Sequence, residues 1–339
     1  MPTVRRVIES VAFLGIGGCL LSMPAFAQDC PGLEGAVDTP GLAWGVTVSG
    51  DHAYVADTSA GLRVINVSAP SAPVEVGHID TPGNAYGVAV SGGYAYVADQ
   101  QSGLRVIDVS TPSAPLEVGF VDTPGNAYGV AVSGGYAYVG DWSEGLRVVD
   151  VTSPSAPVEV GFCDTPGGAR GVAVSGAYAY VADDTGGLRV FNVSVPSQPV
   201  EVGSVDTPSY AYRVAVSGEY AYVAARTGLS VIDVSVPSAP EQVGFADTPG
   251  EAWGVAVSGG YAYVADAYSL RAIDVSTPSA PVEVGFADTP GDAFGVAAAG
   301  GYAYVADSGA GLAVFRNCSL LFADRFESGD TSGWSATVP

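Results

Sequence analysis

Two recurring sets of side chains in this chain could do chemistry. The first is acidic. Asp38, Asp80, Asp122, Asp164, Asp206, Asp247 and Asp288 each open an Asp-Thr-Pro triplet, and Asp57, Asp99, Asp141, Asp183, Asp266 and Asp307 each end an apolar run. Massed carboxylates suit cations, and calcium is the metal they would favour. Calcium takes roughly six to eight oxygens, however, and no single loop supplies them. No metal site is therefore assigned, and a turn-capping role is the simpler reading of aspartates placed before Pro-Gly. The second set is Trp44, Tyr86, Tyr128, Arg170, Tyr212, Trp253 and Phe294, one near the start of each repeated unit, with Arg213 beside Tyr212. Aromatic faces next to carboxylates suit sugars or cationic groups, so these eight residues are the candidate ligand-binding set. Packing between units is the competing reading.

Which ligand such a collar reads would depend on the residues that differ between copies: Leu42, Asn84, Asn126, Gly168, Tyr210, Glu251 and Asp292. Arg170, Tyr210, Arg213 and Arg226 depart most from the shared pattern and cluster in the fourth and fifth units, where an asymmetric site is expected. No catalytic residue is assigned. His52 and His78 lack a partner motif, and no Gly-x-Ser-x-Gly elbow, phosphate loop or metal-spaced cysteine cluster occurs. Carboxylates alone can carry glycoside chemistry. A carbohydrate-active hydrolase or lyase is therefore the alternative to a non-catalytic binding or scaffolding module.

The elements that position these residues follow from the repeat. The Asp-Thr-Pro marker recurs at intervals of 42 residues four times and then 41 residues twice. Such a period means that each unit is one supersecondary piece, which buries its apolar faces only against its neighbours. In the second unit four short runs of β-branched and aromatic residues, 85–91, 94–99, 104–110 and 116–121, are separated by Gly-Gly, Gly and Pro turn signals. Four antiparallel strands per unit predict an all-β, seven-bladed β-propeller. The seventh unit lacks its fourth strand. Residues 33–37, which end in Asp-Thr-Pro, supply it, so the N-terminal strand should complete the last blade and hide two edges. By the same alignment Cys30 and Cys318 fall four positions apart across one turn, within reach of a disulfide. Cys163 substitutes for an apolar strand residue and should pack as one.

The third-strand sequence Gly-Leu-Arg-Val-Ile-Asp-Val-Ser at 103–110, followed by Pro112 and Pro115, resembles the LVIVD repeat. The likeness runs from about residue 31 to residue 318. It implies a propeller of the kind found in secreted and surface proteins of bacteria and archaea, and it carries no shared catalytic motif.

Residues 1–27 read as a signal peptide. Arg5 and Arg6 precede an apolar stretch from Val11 to Leu21, and Ala25-Phe26-Ala27 forms a cleavage site before Gln28. Cleavage before Cys19 to give a lipoprotein is the alternative. Residues 28–318 form the propeller. Residues 319–339, with Phe326-Glu327-Ser328-Gly329-Asp330 and Trp334, resemble a short C-terminal segment of exported bacterial proteins and are a possible sorting or anchoring tail. The chain has no lysine and a formal charge of −23, which repels nucleic acid and anionic membranes. The expected product is an exported monomer, periplasmic, extracellular or at the cell surface. It has no transmembrane segment, and its partner is an unidentified extracellular protein or glycan.

Overall fold

The computed structural model of the chain describes residues 30–318. The expected signal peptide and the C-terminal tail lie outside the described residues. Within this span every named element is a β-strand. The second repeat shows the pattern: Gly87–Ser91, Tyr94–Ala98, Leu104–Asp108 and Leu116–Val121, each antiparallel to the next. Gly92 and Gly93 both adopt positive φ, 59° and 82°, as a two-residue hairpin turn between right-twisted strands requires.

The strands gather into six sheets, which corrects the expectation of seven separate four-stranded blades. Five sheets have four strands. The sixth has six and spans the fifth and sixth repeats. Glu241–Ser258 runs unbroken from the fourth strand of repeat five into the first strand of repeat six, and Tyr261–Asp274 joins the second and third strands of repeat six. The cause lies in the two 41-residue spacings. Each omits one residue from the loop after the second strand, so that loop pairs directly with the segment entering the next repeat, Arg226 with Ala252 and Ala267 with Ala293. Elsewhere the same contact is an isolated bridge, such as Thr58 with Ala85.

Successive first strands lie side by side around a central channel, and Gly295–Ala299 returns to lie beside Gly45–Ser49. Seven apolar clusters occupy the junctions between successive repeats. They form because the middle strands are apolar on both faces. Tyr54 and Ala56 pack toward repeat two with Leu62, Val64, Ala85 and Val97. The alternating residues Ala53 and Val55 pack toward the last repeat with Tyr304, Ala306 and Leu312. Side-chain alternation along a strand thus divides each repeat between two seams. Each fully buried large aliphatic contributes about 1.5–3 kcal/mol.

The ring closes on its own termini. Gly32–Val37 pairs antiparallel with Leu312–Arg316, Leu33 opposite Phe315 and Val37 opposite Leu312. It carries the same register shift as the other fourth strands. Arg316 ion-pairs with Glu34 across this junction. Cys30 and Cys318 form a disulfide with Cα atoms 5.3 Å apart, closing a separation of 288 residues. Cys163 remains a free thiol packed against the third seam, and burial pushes its pKa up.

The six second-strand aspartates are not free to gather cations. All are buried. In repeat two, Thr81 Oγ1 donates to Asp99 Oδ1 at 2.6 Å and the Gly83 N–H donates to Oδ2 at 2.8 Å. Arg105 reaches from the third strand to within 3.8 Å of Asp99 and 3.5 Å of Asp122, in the next Asp-Thr-Pro. Repeats one, three, four and six hold the same Asp–Arg pair. Repeat five has Ala225 and Ser230 in its place. The carboxylate therefore fastens the incoming loop to the second strand, and the Asp-Thr-Pro aspartates Asp80 and Asp122 stay exposed.

Desolvation pushes the carboxyls of Asp57, Asp99, Asp141, Asp183 and Asp307 up, against the lowering effect of their hydrogen bonds. The folded state then holds protons that the unfolded chain releases at about pH 3.9. These groups lower stability as pH rises from there through their raised values. The turn aspartates Asp108, Asp150, Asp233 and Asp274, held low by hydrogen bonds from the residue two positions on, weaken the fold only below about pH 3.9. Urea titrations across pH 3–8 should place maximum stability near pH 4 rather than at neutrality. For the tie itself, Asp99→Ala and Arg105→Ser should each cost about 3 kcal/mol, because each strands a buried partner. The double variant, which reproduces repeat five, should cost clearly less than the sum in a double-mutant cycle.

Candidate binding site

The collar residues converge at one mouth of the channel. Six of them, all but Trp253, are seated by a backbone N–H that donates to the end of the second strand, as from Trp44 to Ala56 at 2.8 Å and from Tyr212 to Ala224 at 2.9 Å. Their rings then meet across the axis. Trp44 stacks on Phe294 with centroids 4.1 Å apart, Tyr86 on Tyr128 at 4.9 Å, and Tyr212 on Trp253 at 4.4 Å. Trp44 and Trp253, from the first and sixth repeats, meet edge to face at 5.9 Å. The space left among these rings is about 10 Å³, room for one water at most. Seven large side chains brought to one narrow axis fill it themselves, and the mouth is closed by a plug.

Arg170 is the cationic member of the plug. Its guanidinium lies 4.4 Å from the Trp142 centroid, 4.8 Å from Tyr212 and 5.5 Å from Tyr128, and Nε donates to Asp184 Oδ2 at 3.2 Å. Burial raises the Tyr86 and Tyr212 hydroxyl pKa values, and Arg170 partly offsets the rise. Arg213 borders the same residual space among the rings from below. It points into the channel beneath, where Nη2 donates to the Tyr86 carbonyl at 3.0 Å. Burial, and after it the like charge of Arg170, push its pKa down to about 10. Arg213 is half-buried, because its side chain borders the channel cavity.

Open space lies off the axis. A cleft of about 590 Å³ sits over repeats five to seven, and its walls include Ser209, Glu251, Trp253, Tyr268, Asp292 and Phe294. Its position follows from the shortened loops. In the full-length repeats a loop residue covers the glycine of the incoming loop: a β-carbon at Gly41 would lie 3.0 Å from the Ala60 side chain, and one at Gly83 would lie 2.9 Å from Ser102 Oγ. In repeat six that covering residue is missing, and Gly250 lines the cleft. In repeat five Ser209 replaces the glycine.

The floor of the cleft is the outer edge of the plug, Trp253 and Phe294. Tyr268, 71 % exposed, stands on the rim. Arg226 donates to Glu251 Oε1 through Nε at 3.0 Å and Nη2 at 2.8 Å, cancelling that carboxylate, and its guanidinium lies 5.5 Å from the Tyr210 ring. Asp247 and Asp292 also line the cleft, and no arginine among the described residues ion-pairs with them. Among the described residues no cluster of three or more His, Cys, Asp or Glu converges as a metal site would.

Of the candidate set, then, Trp253 and Phe294 face the cleft, Trp44, Tyr86, Tyr128, Arg170 and Tyr212 form the closed plug, and Arg213 lies below it. The variable residues Glu251 and Asp292 and the oddity Arg226 do reach the open site. Ser209 and Tyr268 were not singled out by residue type. Their signal was the pair of adjacent repeats that are one residue short.

The sequence model of the LVIVD repeat matches seven consecutive segments, 40–81, 82–123, 124–165, 166–207, 208–248, 249–289 and 290–315. No curated protein matches the chain. Among solved structures, a chain of the mitotic checkpoint complex superposes with a TM-score of 0.72 at 12% identity, covering 91% of this chain and 99% of that one. The β-propeller domain of Myceliophteria thermophila Cps50 (Swd1) gives 0.67 at 13% identity, with 84% and 99% covered. BamB from Moraxella catarrhalis gives 0.58 at 13%, with 84% and 97% covered. At such identities the likeness shows the fold alone, a β-propeller.

Three rings share the Arg170 guanidinium, and each partly desolvated cation–π contact contributes about 0.5–2 kcal/mol. Arg170→Met should therefore lower stability by about 2 kcal/mol in urea denaturation and change the tryptophan emission spectrum, since Trp142 loses its cation.

Proposed function

The chain belongs to the LVIVD repeat family, and on that premise we propose that it is an exported, non-catalytic β-propeller, a binding or scaffolding module that seats an extracellular protein or glycan partner in the cleft over repeats five to seven. The observation that carries this reading is the cleft's asymmetry. The ring is otherwise near-symmetric, its axis is plugged, and the two adjacent short loops open one pocket of about 590 Å³, within the size range of ligand sites. An aromatic floor, an exposed tyrosine and two carboxylates without an arginine partner suit a cationic or sugar surface.

Export is supported by the disulfide, which persists in oxidising compartments, and by the signal-like N-terminus. Among the described residues no helix is long and apolar enough to cross a membrane. The domain reading follows: residues 1–27 address the chain, 28–318 form the working module, and 319–339 are a sorting or anchoring tail. The seven collar residues and Arg213 serve this module chiefly through Trp253 and Phe294. The bulk charge of −23 adds a long-range pull on a basic partner.

Tyr268→Ala combined with Asp292→Asn should leave the near-ultraviolet circular dichroism intact. It should weaken, by about tenfold or more, whichever ligand the mature protein captures from an array of glycans and basic peptides. Undiminished capture would remove the cleft as the binding surface. Release of cleaved sugar from any retained glycan would favour the carbohydrate-active enzyme instead.

A further inference from the structure

Directly beneath the plug, the first residue of the first strand is glycine in six repeats, Gly45, Gly87, Gly129, Gly171, Gly254 and Gly295, and arginine in the fifth, Arg213. The glycines allow close approach: a β-carbon at Gly45 would lie 2.6 Å from the Tyr86 carbonyl oxygen, and one at Gly129 would lie 2.2 Å from that of Arg170. Arg213 alone departs from this ring and sends its side chain into the channel. A cavity of about 110 Å³ lies there, walled by first-strand glycines and valines, among them Val46, Val130 and Val172, with Arg213 as its one polar side chain.

The charge of Arg213 is uncompensated. Among the described residues the other eight arginines, Arg63, Arg105, Arg147, Arg170, Arg189, Arg226, Arg271 and Arg316, all pair with a carboxylate. Arg213 pairs with none, and the charged group acting on it is Arg170, of like sign. The Tyr86 carbonyl takes one of its five N–H donors and supplies no counter-charge. A guanidinium held partly out of water with no counter-charge is unfavourable, and 110 Å³ is several times the ~30 Å³ that one liquid water occupies.

We propose that this cavity is a binding site for a small monoanion, with a short-chain carboxylate as the best match. The guanidinium fork donates to both oxygens of a carboxylate, and the valine methyl groups pack against a short alkyl chain. The site is separate from the cleft, lies on the opposite side of the plug from it, and does not depend on what the cleft binds. The competing role for Arg213 is a strut that ties repeat five to repeat two through the Tyr86 carbonyl.

The test uses the mature full chain and Arg213→Gly, which installs the residue of the six sister positions and so preserves the ring. Saturation-transfer NMR with sodium acetate and propionate should show bound methyl signals for the wild type and none for the variant. Melting temperature should rise with acetate, at constant ionic strength set by bulky gluconate, only in the wild type. Displacement of acetate by chloride identifies a general monoanion site and supports the proposal. Equal signals from both proteins, or none from the wild type at about 50 mM ligand, far above a millimolar Kd, would overturn it. So would a destabilised Arg213→Gly combined with a wild type whose melting temperature ignores acetate, since that pattern is a strut alone.

Discussion

The middle strands of every repeat are apolar on both faces, and no repeat can cover both faces alone. Tyr54 and Ala56 need repeat two, while Ala53 and Val55 need the last repeat. A linear stack would leave two such faces in water, each exposing a tyrosine, valines and alanines. Closing the row into a ring removes both exposed faces at once, and the rest of the architecture serves that closure. The N-terminal strand lends its hydrogen bonds to Leu312–Arg316. The Cys30–Cys318 bond then holds the ends over a separation of 288 residues, a long loop of the kind in which cross-linking restricts the unfolded chain most, on the chain-entropy account.

Closure also decides what happens at the axis. Seven first strands converge, and whatever side chain begins each of them must share one narrow space. Glycine at the innermost position lets backbones approach, and the preceding aromatic residues stack into a lid. The two arginines of this region are placed differently, one within that lid and one at its lower border. Arg170 is absorbed into it by three rings and Asp184. Arg213 has neither ring nor carboxylate. Similar residues in neighbouring repeats thus meet different fates through a difference of one position along a strand.

The strand pattern was legible because turn residues and apolar alternation are local: Gly92-Gly93 and the third-strand runs mark their elements without reference to anything distant. The closing strand and the disulfide were legible because the repeat is a ruler. Counting from Asp38 and Gly311 puts Cys30 and Cys318 at sister positions of one turn. The fusion of repeats five and six into one sheet was less accessible. The shortened spacing was visible, but its effect on pairing depends on whether Arg226 and Ala267 meet the segment entering the next repeat, a matter of geometry between repeats. Tyr268 and Ser209 belong to the open site for the same reason.

Sequence alone therefore determined the repeat, the class of fold, the joining of the two ends and the set of residues gathered at the axis, since each follows from spacing along one chain. Tertiary structure decided which carboxylates are buried ties and which meet water, that the aromatic collar fills its own mouth, and that the open cleft lies off the axis. Those outcomes turn on how side-chain volumes from seven directions add up in a shared space. Asp57 and Asp80 are the same residue type in the same repeat, yet one lies beneath Thr39, Gly41 and Arg63 and the other stands in solvent. No spacing rule separates them; only the atoms packed around each do.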